Sequence, residues 1–199
     1  MHNMESYNLS LLARKIFEFD LPLVHSRTLM ELLEIRNRRS FFSILQRFQD
    51  DGILQKLEKD KYRILQKNVS SFQIANFLYE PSYISLETAL SYWGILPQFP
   101  FEITSVTLKK TVTKSVDDIV YSYSHVSNTI YGLYAKEKEF LMATPEKSLF
   151  DQLYLVARGW RSLNLDECDL SNVNKKEFLR ICTMLQDDRA NRWIGGLQW

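Results

Sequence analysis

The sequence predicts an α+β fold in two parts: three helices closed by a hairpin over residues 1–68, then a mixed α/β domain over residues 69–199. Three observations lead there. Apolar residues recur at helical spacing up to Gly52 and switch to short strand-like runs just after it. From residue 72 onward helical and alternating segments interleave. Finally, 45% hydrophobic residues, with 12 Phe, 10 Tyr and 4 Trp, supply enough apolar surface for packed cores and exclude a disordered chain.

The first helix is expected from the stripe Leu9, Leu12, Ile16 and Phe19, and it ends near Asp20-Leu21-Pro22. A short second helix follows Ser26, whose hydroxyl is expected as its N-cap, with Leu29, Leu32 and Leu33 facing inward. After the connection Glu34-Ile35-Arg36, a third helix runs from about Asn37 to Asp51, and Gly52 closes it in the left-handed conformation. Residues 53–57 and 62–65 then read as two strands joined by Glu58-Lys59-Asp60-Lys61. Three helices and a hairpin in this order are the layout of a winged helix-turn-helix.

In the second part, residues 72–78 read as a helix stopped by Pro81, and another helix opens at Ser85 and ends at Gly94. Strand-like alternation appears over residues 103–108, 119–123, 129–134 and 139–143. Thr144, Pro145 and Glu146 open a helix as N-cap, first-turn proline and dipole partner, with Leu149, Leu153 and either Val156 or Ala157 as its core face and Gly159 at its end. A last helix is expected from about Asn174 to Asp188, and residues 192–199 receive no assignment. Tyr121, Tyr123, Tyr131 and Tyr134 fit cross-strand packing better than a platform for stacked bases.

A net charge of +1 conceals an asymmetry: residues 1–68 hold 12 Lys/Arg against 9 Asp/Glu, and residues 69–199 hold 13 against 15. Arg36, Arg38 and Arg39 cluster where the third helix begins. With Phe41, Ile44, Leu45 and Phe48 turned inward, that helix presents Arg39, Ser43 and Gln46 outward, flanked by Ser40 and Arg47. Guanidinium groups suit guanine and carboxamides suit adenine in the major groove, and the helix N-terminal amides suit phosphate. On the hairpin, Lys56, Lys59, Lys61 and Arg63 are candidates for backbone phosphates, with Glu58 and Asp60 offsetting part of their charge.

Catalytic chemistry finds little footing. His2, His25 and His125 have no metal-ligand spacing, and no phosphate-binding glycine loop, nucleophile elbow or HExxH is present. Asp117-Asp118 and Asp166-Glu167-Cys168-Asp169 read as loop and cap residues, so no catalytic residue, metal or cofactor is expected. Cys168 and Cys182 read as free thiols of a reducing cytosol. No apolar run approaches the roughly 20 residues of a membrane span, and the start MHNMESYNLS lacks the pattern of a secretion signal, so a cytoplasmic protein is expected.

Two segments also carry a family likeness: residues 81–90 (PSYISLETAL) with Tyr92-Trp93-Gly94-Ile95-Leu96, and residues 142–151 (MATPEKSLFD). In this order behind a helical N-terminal unit, they resemble AbiE-type antitoxins, the regulator half of bacterial abortive-infection toxin–antitoxin pairs. The resemblance covers about residues 8–160. It implies a winged helix that binds double-stranded promoter DNA of its own operon as an autorepressor. It implies a second domain that counteracts a nucleotidyltransferase-like toxin without a stable complex, in the context of phage defence. It marks Glu146, Lys147 and Asp151 as an antitoxin motif, with no catalytic residue to inherit. Two accounts of the motif stand side by side: a helix-stabilising set, with Glu146 on the dipole and Lys147–Asp151 as an i,i+4 pair, or a surface that antagonises the toxin. Where the family's wing carries a basic residue and Gly before its last-strand Tyr, Asp60-Lys61 stand before Tyr62. The alternative reading is a winged-helix regulator whose second domain binds a small ligand or another defence protein.

Overall fold

The computed structural model describes residues 7–193 and Leu197, so the expectations for the N-terminal MHNMES and for most of the 192–199 stretch lie outside the described residues. The chain is mixed α+β and divides into two compact units between Ser70 and Ser71.

The first unit contains α1 (Leu9–Glu18), β1 (Leu23–His25), α2 (Ser26–Leu32), α3 (Arg38–Asp50), β2 (Leu54–Glu58) and β3 (Lys61–Ile64). Its sheet is antiparallel in the order β1-β3-β2, so the hairpin gains a third strand that the sequence reading lacks. The three helices and the sheet close on one core of Leu12, Ile16, Val24, Leu29, Leu33, Phe41, Leu45, Phe48, Leu54 and Ile64 among others. Capping follows local chemistry at α1 and α3, where Asn8 Oδ1 accepts from the Leu11 amide and Asn37 Oδ1 from the Arg39 and Ser40 amides. Ser26 departs from expectation. It is the first helical residue of α2, not its cap, and its hydroxyl donates to Asp60 Oδ1 at 3.0 Å while its amide donates to the Asp60 carbonyl. The pairing of β1 with β3 brings the Asp60 turn onto Ser26 and redirects that hydroxyl. At the other end of α3, Gly52 has φ +68° and lets the Ile53 amide reach back to the Phe48 carbonyl at 2.8 Å.

The second unit contains α4 (Ser71–Leu78), β4 (Ser82–Ile84), α5 (Leu86–Tyr92), β5 (Glu102–Thr107), β6 (Val112–Val116), β7 (Ile119–His125), β8 (Tyr134–Glu137), β9 (Phe140–Ala143), α6 (Pro145–Val156), α7 (Lys175–Leu185) and α8 (Asp188–Asn191). Six strands form one mixed sheet in the order β6-β7-β5-β4-β9-β8, with β5–β7 and β4–β9 parallel. Helix α4 covers one face, held by Tyr123 Oη donating to the Ala75 carbonyl and by Asn76 clamping the Leu141 backbone. Helices α5 and α6 cover the other face, and α7 and α8 pack on α6.

Two expectations are corrected here. Residues 129–133 are not a strand: Gly132 (φ +134°) and Leu133 (φ +57°) turn the chain, and pairing starts only at Tyr134. Tyr131 and Tyr134 instead pack on the buried Tyr83 ring, with centroids 5.1 and 4.8 Å away. Helix α6 lacks the single core face its leucines suggested, because every residue from Glu146 to Leu155 is buried.

Candidate nucleic-acid interface

Helix α3 sorts its side chains sharply. Phe41, Ile44, Leu45 and Phe48 enter the core, while Arg38, Arg39, Phe42, Ser43, Gln46 and Arg47 are exposed, with Ser40 half-buried. Arg39, Ser43, Gln46 and Asp50 fall on one stripe at the 3- and 4-residue spacing of the helix. Two arginines occupy the first turn with no acidic residue to offset them, so their charge adds to the positive end of the helix dipole. Among the described residues, Arg36, Arg38, Arg39 and Arg47 have no carboxylate partner. This face therefore repels cations and attracts a polyanion.

Two details differ from the sequence reading. The Arg39 and Ser40 amides are occupied by Asn37, at 2.9 and 3.1 Å, so they are not free to hold a phosphate. Gln46 Nε2 donates to Asp50 Oδ1 at 2.9 Å, which ties the carboxamide back along the helix. Asp50 sits one turn beyond Gln46, the i,i+4 spacing at which the two side chains meet.

The hairpin distributes its basic residues unevenly. Lys56 and Arg63 border a shallow hollow of about 390 Å³ together with Gln49 of α3 and Gln55. Lys61 and Arg63 lie on the central strand β3, opposite His25 and Leu23 of β1, rather than at the tip. Lys59 is exposed in the turn beside Asp60, which is engaged with Ser26. The hairpin thus brings Lys56 and Arg63 toward α3 and leaves Lys59 apart.

In the second unit, the motif residues form an interior cluster. Lys147 and Asp151 are 0% exposed and make an i,i+4 ion pair along α6. Tyr83 Oη donates to Asp151 Oδ2 at 3.0 Å, Ser85 Oγ donates to the same oxygen at 2.8 Å, and Lys147 Nζ donates to Tyr83 Oη at 2.8 Å. Burial pushes the Asp151 carboxyl up and the Lys147 ammonium down, each opposed by the other's charge. Glu146 accepts from the Asn174 amide at 2.9 Å and so ties the start of α6 to the start of α7. Lys147 and Asp151 offer no surface to a partner; they hold α6 to β4 and Ser85.

A polar centre that no sequence motif marks lies elsewhere on the same unit. The Arg161 guanidinium reaches Glu87 and Glu102 at 3.2 Å each, and Ser122 and Ser124 at 3.2 and 3.4 Å. Gln152 joins through Glu87 Oε1 at 2.9 Å. Beside it, Thr111, Ser124, His125, Leu155, Trp160 and Arg161 line a cavity of about 600 Å³. Its residues come from positions 87 to 161, too scattered for any local pattern to unite them.

Among the described residues no group of three His, Cys, Asp or Glu side chains could hold a metal ion, and no helix is long and apolar enough to cross a membrane. Cys168 and Cys182 are free, and burial pushes the Cys182 thiol up to about 11.

No protein-family model matches the chain, and no curated protein matches it. Among solved structures it is similar to the crystal structure of the Rv2827c protein from Mycobacterium tuberculosis, at 14% identity and a TM-score of 0.44, over 96% of this chain and 80% of that one. A likeness of that size carries no functional argument.

Proposed function

We propose that the first unit is a winged helix-turn-helix that binds double-stranded DNA upstream of its own gene and represses it. In the same reading the chain is the antitoxin of an abortive-infection pair and counteracts a nucleotidyltransferase-like toxin encoded beside it. The observation that carries the DNA half is the exposed face of α3, where Arg38, Arg39 and Arg47, with Arg36 just before the helix, have no carboxylate partner among the described residues. In this mechanism α3 enters the major groove, Arg39 pairs with a guanine edge, and Gln46 turns from Asp50 to an adenine. Lys56 and Arg63 then hold phosphates from the hairpin side.

The antitoxin half is supported by the two family-like segments. The burial of Lys147 and Asp151 favours the helix-stabilising account of the motif, so toxin antagonism belongs to exposed surface or to repression itself. No catalytic residue, cofactor or membrane contact enters the reading. A reporter driven by the gene's upstream DNA is expected to fall when the protein is supplied, and to recover with Arg39→Ala plus Gln46→Ala. Growth arrest by the adjacent toxin gene is expected to be relieved by the wild-type chain. An unrepressed reporter, or arrest that persists, overturns the corresponding half. The cavity beside Arg161 and Trp160 favours a second reading, a regulator whose second unit binds a small ligand, and a toxin-free operon would select it.

A further inference from the structure

Two phenylalanines stand side by side in α3 and meet opposite fates. Phe41 is 1% exposed and belongs to the core, whereas Phe42 is 45% exposed. Phe42 lies three residues after Arg39 and four before Gln46, so it flanks the polar stripe on the side of Arg38. Its ring meets the core at an edge contact with the Phe41 ring, 5.3 Å between centroids. The rest of the ring forms, with Met30, Phe41, Arg27 and Arg38, the wall of a hollow of about 280 Å³ between α2 and α3. A large apolar ring beside the guanidinium groups of Arg38 and Arg39 gains free energy when another apolar group covers it. On a helix seated in the major groove, the apolar group within reach is the C5-methyl of thymine, the one hydrocarbon that base edges present there.

We infer that Phe42 is a specificity-determining residue that reads thymine through its methyl group, next to the base contacted by Arg39. This rests on the DNA-binding reading above and adds a base to it. Arg38 and Arg39 would bring the phosphates and guanine within reach, while Phe42 would distinguish thymine from cytosine by apolar contact and not by hydrogen bonding.

The test compares the upstream duplex with the same duplex carrying deoxyuridine at every thymine, which removes the methyl groups and keeps the pairing. Wild-type protein is expected to bind the thymine duplex about threefold to tenfold more tightly, the scale of one or two buried methyl groups. Phe42→Ala is expected to bind both duplexes equally, and Arg39→Ala to weaken both while keeping their ratio. Phe42 is half outside the core, and circular dichroism with a thermal melt checks that the variant folds. Equal wild-type binding to the two duplexes, or a ratio that survives in Phe42→Ala, overturns the inference while leaving specific DNA binding intact. Loss of preference for upstream DNA over random duplex in the wild type overturns the DNA-binding reading and the inference with it.

Discussion

At the scale of single residues, the Lys147–Asp151 pair has the clearest energetic consequence. Both groups are fully buried, and Tyr83 and Ser85 hydrogen-bond the pair, so removing one partner leaves the other charge buried without its counter-ion. Lys147→Met is expected to cost about 3–5 kcal/mol, and Lys147→Met with Asp151→Leu to recover much of it. Urea unfolding measures both; a single variant within about 1 kcal/mol of wild type contradicts the account. The i,i+4 spacing of the pair was legible in the sequence. Its burial was not, because Tyr83 and Ser85 stand 68 and 66 residues from Asp151. Asp187 offers a pH test. Burial pushes its carboxyl up, but the Arg158 hydrogen bonds and charge and the Ala190 and Arg189 amides outweigh burial and hold it below the ordinary value. A carboxyl depressed in the folded state contributes stability above the unfolded pKa and loses it as pH falls through the folded value. Asp187→Asn keeps the cap and removes the charge, so it is expected to cost about 1 kcal/mol at pH 7 and progressively less below about pH 4. A gap independent of pH contradicts the assignment.

At the scale of elements, the end of α3 rests on one backbone conformation. Gly52 adopts φ +68° with open space around its Cα, so Gly52→Ala meets no clash and reports only the left-handed backbone. The expected loss is about 1 kcal/mol in a thermal or urea melt, and an unchanged midpoint contradicts it. Helices whose caps and stripes are local, such as α1 from Leu9 and α3 from Arg38, were readable to within a residue or two. The three-residue strands β1 and β4 were not, since nothing in three residues shows a period and their partners lie elsewhere in the chain. The 129–134 segment misled for the opposite reason. Its alternating Ile130 and aromatic residues mimic a strand, but Ile130 is buried in the core and the turn at Gly132 and Leu133 interrupts the extension.

At the scale of the whole molecule, charge and chemistry divide between the units. The first unit is net positive and carries the arginines of α3 that have no carboxylate partner among the described residues, while the second is net negative and holds buried or partly buried ion pairs at Asp151, Arg161 and Asp187. The α3 face was legible because one helix carries it. The Arg161 centre was not, because strands β5 and β7 and helix α5 converge on it from separate stretches. The central claim is that α3 reads DNA, and salt titration of binding to the upstream duplex against a random duplex tests it most directly. The account predicts a specific complex whose log affinity falls linearly with log salt, by about 0.9 per phosphate neutralised. Arg47→Ala should lower that slope by about one, and Arg39→Ala plus Gln46→Ala should abolish the preference for upstream DNA. Equal affinity for the two duplexes, or a preference that survives the double substitution, would contradict it.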